Sequence, residues 1–129
     1  MPRVRDHMSR DLLTVDSGLT LAEVARRMVE REVGAVLVLA GEQLAGILTE
    51  RDVLRAVARG IRDEALVSDW MTTDPETIEP GETTQHAATL MMHGGFRHLP
   101  VTEDGAVVGI LSIRDLMRLA LEDSAPRGV

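Results

Sequence analysis

The chain has 129 residues, a formal net charge of −7, 44% apolar residues and no cysteine. That length suffices to bury a core, the missing cysteines exclude disulfides and thiolate metal sites, and the acidic balance argues against a general nucleic-acid binder, which needs a basic face. One Trp, one Phe and no Tyr leave an aliphatic core, so a planar ligand would lie against aliphatic side chains rather than rings.

The N-terminus, from Met1 to Asp6, carries no apolar run that would serve as a leader, and no stretch reaches the length of a membrane span. A cytoplasmic protein with no membrane partner is expected, and the initial Met with clean boundaries favours a complete short protein. Thr14-Val15 predicts a short extended piece ending at Gly18. Thr20-Leu21-Ala22-Glu23 has the form of a capping box, in which a hydroxyl and a carboxylate satisfy N–H groups at a helix start. Leu21, Val24, Ala25, Met28 and Val29 then form one apolar stripe at helical spacing, while Arg26, Arg27, Glu30 and Arg31 face away as a charge-paired surface. Ala35-Val36-Leu37-Val38-Leu39 is too short for a helix and reads as a buried strand. Gly41-Glu42-Gln43 turns the chain into a second strand over 44–48, and Thr49 opens a helix through Val57.

Residues 60–66 read as a linker. Beyond it, Thr77-Ile78 is extended and a helix runs over 84–93, ended by Gly94-Gly95. Strands over 98–102 and 106–111 are joined by Glu103-Asp104-Gly105, and a last helix covers 112–121. The tail from Asp123, with Pro126 and Gly128, is expected to fray. The methionines Met28, Met91 and Met92 are expected in the core.

The chain repeats itself. An offset of 63 residues, Val4 onto Val67, lays residues 4–57 on the second half without a gap. Asp6 and Met8 meet Asp69 and Met71; Thr14, Gly18 and Thr20 meet Thr77, Gly81 and Thr83; Met28 meets Met91 and Arg55 meets Arg118. The expectation is an α/β (α+β) fold with a β-α-β-β-α unit over 4–60 and again over 67–122. One such unit has helices on one face of a small sheet and buries little by itself, so the copies should pack with pseudo-twofold symmetry. Packed units leave clefts, which are frequent ligand sites.

The densest match is Gly46-Ile47-Leu48-Thr49-Glu50-Arg51-Asp52 with Gly109-Ile110-Leu111-Ser112-Ile113-Arg114-Asp115, at the second strand-to-helix junction of each copy. Two readings fit. Thr49 with Asp52, and Ser112 with Asp115, have the spacing of helix caps. The same geometry suits a nucleotide: a helix N-terminus favours phosphate, a hydroxyl adds a donor, and a carboxylate one turn on can accept both ribose hydroxyls.

With these residues the chain resembles a pair of cystathionine β-synthase (CBS) domains, together a Bateman module. Phe96-Arg97-His98-Leu99-Pro100-Val101 matches another signature of that family, and the resemblance runs from about Val4 to Glu122. It implies a βαββα fold, an adenosyl ligand such as AMP, ADP or ATP in clefts between the domains, no required cofactor, and frequent disc-like homodimers. By position, Asp52 and Asp115 would hold ribose and Thr49 and Ser112 would lie near phosphate. Arg97 and His98, just before Pro100, would reach phosphate, and backbone around Thr14-Val15 and Thr77-Ile78 would flank the base. The first copy departs from the pattern: Val33-Gly34-Ala35-Val36-Leu37-Val38 stands where the second has its basic pair. One competent anion site and one weaker or empty site are therefore expected.

No nucleophile elbow or Walker loop is present, and no catalytic set stands out. His86 and His93 lie seven apart on one helix with no usual metal spacing, so a polar helix surface is expected there rather than a metal site. The leading functional reading is a sensor: an adenine nucleotide shifts the packing of the copies or of a dimer, and an unidentified regulated protein reads the shift. The rival is a ligand-free dimerisation or interaction module whose Thr/Ser-x-x-Asp motifs only cap helices.

Overall fold

In the computed structural model, residues 1–124 are described and form two compact units. One is Asp11–Pro75; the other joins Met1–Arg10 to the chain from Glu76 onward.

The unit Asp11–Pro75 begins with strand β1 (Thr14–Asp16), helix α1 (Leu21–Arg31) and strands β2 (Ala35–Ala40) and β3 (Gln43–Thr49). It continues through helix α2 (Glu50–Ala58), the short helix α3 (Val67–Trp70) and strand β4 (Thr72–Thr73). The strands form one sheet in the order β1-β2-β3-β4, with β1 parallel to β2 and the other pairs antiparallel. Thr20 caps α1 by accepting the Glu23 N–H at 3.2 Å, and the Glu23 carboxylate binds Arg26 and Arg27 on the solvent side. The opposite face of α1 buries Leu21, Val24 and Met28 against Val15, Val36, Val38, Leu48 and Ala56. Removing these aliphatic side chains from water is the main favourable term in holding helix to sheet.

The second unit is built on the same plan. Helix α4 (Thr84–Gly94), strands β5 (His98–Glu103) and β6 (Ala106–Ser112) and helix α5 (Ile113–Ser124) follow in order. Ile78, Ala87, Met91, Leu99, Val101 and Leu111 form its core. Both hairpins carry an irregularity at the same repeat position, after Val38 and after Val101.

The sequence repeats and the compact units are not the same spans. Each unit holds most of one repeat together with the opening segment of the other. Val67, the first residue of α3, is buried in the core of the first unit and donates its N–H to the Leu19 carbonyl at 2.9 Å. Its repeat partner Val4 is buried in the second unit and donates to the Glu82 carbonyl at 2.9 Å. The pairing continues outward: β4 lies beside β3, with Ile47 opposite Thr72, and Ser9 bridges Ile110.

Several expectations need correction. Val29 and Met92, placed in the apolar stripe and the core, are exposed, because each lies one step past the buried Met28 or Met91 and turns off the sheet-facing side of its helix. Thr77-Ile78 makes a single bridge, Ile78 to Val101, rather than a strand. Helix α3 and strand β4 stand where the sequence pattern shows only the start of the second repeat. Asp123 and Ser124, assigned to a frayed tail, belong to α5; the rest of that tail, with Pro126 and Gly128, lies outside the described residues.

Candidate functional site

Both strand-to-helix junctions are made the same way. The last residue of β3, Thr49, is the N-cap of α2, and Ser112 at the end of β6 immediately precedes α5. Asp52 Oδ2 accepts the Thr49 N–H at 2.8 Å and its hydroxyl at 3.1 Å. Asp115 Oδ2 accepts the Ser112 N–H at 2.8 Å and its hydroxyl at 3.0 Å, and the Asp115 N–H donates to Ser112 Oγ at 3.2 Å. Each carboxylate thus closes a cap on its own helix, where negative charge also complements the helix dipole. Neither carboxylate points into bulk water, and each hydroxyl proton is directed at its carboxylate.

The strand pairing sets the other candidates around these caps. In the second unit His98 lies opposite Ser112, and the Arg97 carbonyl accepts the Ile113 N–H at 2.8 Å. In the first unit Ala35 lies opposite Thr49, and the Gly34 carbonyl accepts the Glu50 N–H at 3.0 Å. The backbone is the same; only the second unit adds an exposed guanidinium and an imidazole to it. Ile78 donates its N–H to the Pro100 carbonyl at 3.1 Å, which brings Thr77-Ile78 alongside β5. Thr14-Val15 pairs in the same register with Leu37 and Val38. The side chains of Val15, Ile78 and Pro100 are buried, and the Ile78 N–H and C=O are both taken up by β5, at the Pro100 carbonyl and the Thr102 N–H.

The second unit therefore brings together Thr77, Ile78, Arg97, His98, Pro100, Ser112 and Asp115, and the first brings together Thr14, Val15, Thr49 and Asp52. Two residues at these junctions were not singled out from the sequence. Arg55 Nη2 donates to Asp52 Oδ1, and Arg118 Nη1 stands 3.6 Å from Asp115 Oδ1. The signal was available: Asp-x-x-Arg at helical i,i+3 spacing in both repeats. His86 and His93 are exposed on α4, and among the described residues no group of three or more His, Cys, Asp or Glu is placed to hold a metal. No helix among the described residues is long and apolar enough to cross a membrane.

The family model described as the CBS domain matches residues 4–59 and again 67–122. The CBS domain-containing protein YhcV of Bacillus subtilis is 34% identical over 117 residues, covering 90% of this chain and 84% of its own. The uncharacterized protein MJ1225 of Methanocaldococcus jannaschii is 32% identical over 95% of this chain, which spans only 44% of that relative's length. Among solved structures, the CBS-domain containing protein ATU1752 from Agrobacterium tumefaciens superposes with a TM-score of 0.85 at 34% identity, over 92% of this chain and 98% of its own. The CBS domain protein PAE2072 from Pyrobaculum aerophilum, complexed with AMP, gives a TM-score of 0.85 at 27% identity over 95% of this chain and 99% of its own. The CBS domain pair of protein MJ0100, in complex with 5′-methylthioadenosine and S-adenosyl-L-methionine, gives 0.88 at 25% identity over 95% and 98%.

Proposed function

The chain belongs to the CBS domain family, carrying the domain twice, and from that premise we propose that it is a regulatory module that binds an adenosyl compound at its strand-to-helix junctions. The observation that carries this reading is the likeness, over 95% of the chain, to domain pairs solved with AMP and with methylthioadenosine and S-adenosylmethionine. The duplicated hydroxyl–carboxylate pairs support it, as does the guanidinium of Arg97 beside the second of them. In this reading Asp115 accepts the ribose hydroxyls, Arg97 and His98 meet phosphate, and the Thr77-Ile78 backbone borders the base. AMP, ADP and ATP are the ligands for which the basic pair is suited. The chain catalyses nothing itself; a partner protein reads the bound state.

Isothermal titration of AMP and ATP tests this. Asp115→Ala is expected to weaken AMP binding by roughly 10- to 100-fold, since hydrogen bonds to a charged group contribute about 1.5–3 kcal/mol. Equal affinities in the two proteins would remove Asp115 from the site. A ligand at 100 times its Kd adds about 2.7 kcal/mol of stability, so a thermal-shift screen with AMP, ADP, ATP and S-adenosylmethionine that shows no shift would sink the reading.

That outcome would favour the second reading, an interaction module with no nucleotide, which the capping geometry of Asp52 and Asp115 supports. Both readings include a homodimer. Val29 on α1 and its repeat partner Met92 on α4 are 78% and 81% exposed, and Leu54 on α2 and Met117 on α5 are 69% and 58% exposed. Each unit bares apolar side chains at matching helix positions, a surface that the same helices of a second copy can cover. Sedimentation of the wild type and of Leu54→Glu/Met117→Glu should show a dimer and a monomer.

A further inference from the structure

The two junctions differ in how much of each carboxylate is left for a ligand. A carboxylate offers about four acceptor positions, and the two adjacent hydroxyls of a ribose need two of them. Asp52 has three in use: two on Oδ2 by Thr49 and one on Oδ1 by Arg55. Its side chain is 4% exposed. Asp115 has two in use, both on Oδ2. At 3.6 Å Arg118 lies beyond hydrogen-bond reach of Oδ1, and the Asp115 side chain is 15% exposed.

We propose that the chain binds one nucleoside, not two, at the Ser112–Asp115 junction, and that Arg55 is the residue that withholds the Thr49–Asp52 junction. The proposal rests on the adenosyl-binding reading above. Arg55 is a specificity-determining residue here: its guanidinium saturates Asp52 Oδ1 and leaves a single acceptor, too few for a vicinal diol. The Arg55 side chain is 60% exposed, so removing its head group frees the carboxylate without opening a core cavity. The lack of the basic pair at Gly34 and Ala35 acts separately, on phosphate and not on ribose. An uncharged nucleoside therefore isolates the effect of Arg55.

Adenosine titrated calorimetrically gives the stoichiometry. The wild type should bind one adenosine per chain and Arg55→Ala two, the added site disappearing again in Arg55→Ala/Asp52→Asn. Two adenosines per wild-type chain, or one per chain in a folded Arg55→Ala, would overturn the proposal while leaving adenosyl binding intact. A wild type that binds none of adenosine, AMP and ATP overturns the underlying reading as well. If Arg55→Ala does not fold, amide exchange of the wild type with saturating adenosine decides. Protection confined to residues 97–99 and 112–116 supports one site, and equal protection at 34–36 and 49–53 refutes it.

Discussion

The two units share a core plan and differ in charge at its edges. Val15 and Ile78, Met28 and Met91, Val38 and Val101, Leu48 and Leu111, and Val67 and Val4 occupy matching buried positions. Other core positions change in side-chain size, with Thr84, Ala87 and Leu99 standing where the first unit buries Leu21, Val24 and Val36, while the changes of charge lie at helix ends and strand starts: Glu23 against His86, Glu32 against Gly95, and Gly34-Ala35 against Arg97-His98. Interiors are close-packed, so a change in one core side chain must be met by its neighbours, whereas a capping or strand-entry position tolerates any residue its backbone allows. Duplication followed by such drift leaves two copies of one scaffold with two different rims.

The comparison is sharpest where the exchanged segments dock. A Cβ on Gly46 would stand 2.7 Å from the Thr72 carbonyl oxygen and 2.6 Å from Met71 Sδ; on Gly109 it would stand 3.0 Å from the Ser9 carbonyl oxygen and 2.5 Å from Met8 Sδ. A methionine side chain can yield and a backbone carbonyl cannot. Gly46→Ala is therefore expected to destabilise by about 3 kcal/mol and Gly109→Ala by about 1–2 kcal/mol, within the usual cost of overpacking. Urea denaturation of both variants checks this, and equal losses would mean that the opening segments dock alike. Next come the caps themselves. Asp52→Ala removes a buried cap and an Arg55 bond at once and should cost about 2 kcal/mol, against about 1 kcal/mol for the more exposed Asp115→Ala. The same denaturation series, without ligand, separates this structural role from nucleotide binding.

Much of this plan was legible in the sequence because it is local. Thr20 and Thr83 announce helix starts, the run from Ala35 to Leu39 announces a buried strand, and the offset of 63 residues places α4, β5, β6 and the start of α5 in the second half. The exchange of opening segments was not legible. Val4 and Val67 are equivalent residues whose burial depends on which repeat they meet, and a repeat pattern is the same for either choice. The capping by Asp52 and Asp115 is one of the two uses that their spacing allows. What the sequence pattern left out was Arg55, since Asp-x-x-Arg looks identical in both copies and only coordinates separate a hydrogen bond from a contact at 3.6 Å. Met92 and Val29 were misplaced because an apolar residue beside a core position reads as core until the helix is rotated onto its sheet.

Helix ends supply the smaller contrasts. Both α1 and α4 end in a left-handed residue, Glu32 with φ of 55° and Gly95 with φ of 71°. That conformation costs a residue with a side chain about 1 kcal/mol. Gly95→Ala should thus lose about 1 kcal/mol, and Glu32→Gly should gain somewhat less, because glycine also enlarges the freedom of the unfolded chain. Thermal melts that showed the same sign for both would contradict the shared cap geometry.

The smallest expected effect distinguishes the helix starts by pH. In α1 the hydrogen bond from Arg26, then that from Arg27, holds the Glu23 carboxyl below its ordinary value of 4.5. In α4 the equivalent position is His86, whose N–H bonds the Thr83 hydroxyl at 3.1 Å without a carboxylate. A carboxyl depressed in the folded state binds fewer protons there than in the unfolded chain. Its stabilisation is complete above the ordinary glutamate range and is lost as pH falls through the depressed folded value. The α1 amides should accordingly lose exchange protection on acidification below about pH 4.5 in the wild type, and Glu23→Gln should remove that part of the dependence. Because the pair is exposed and screened, the change is a slope rather than a transition. Installing the missing carboxylate with His86→Glu does not transplant it, because Thr89 and Leu90 stand where α1 has Arg26 and Arg27. A slope in α4 that matched α1 in that variant would show that the helix dipole, and not the arginines, sets the Glu23 ionisation.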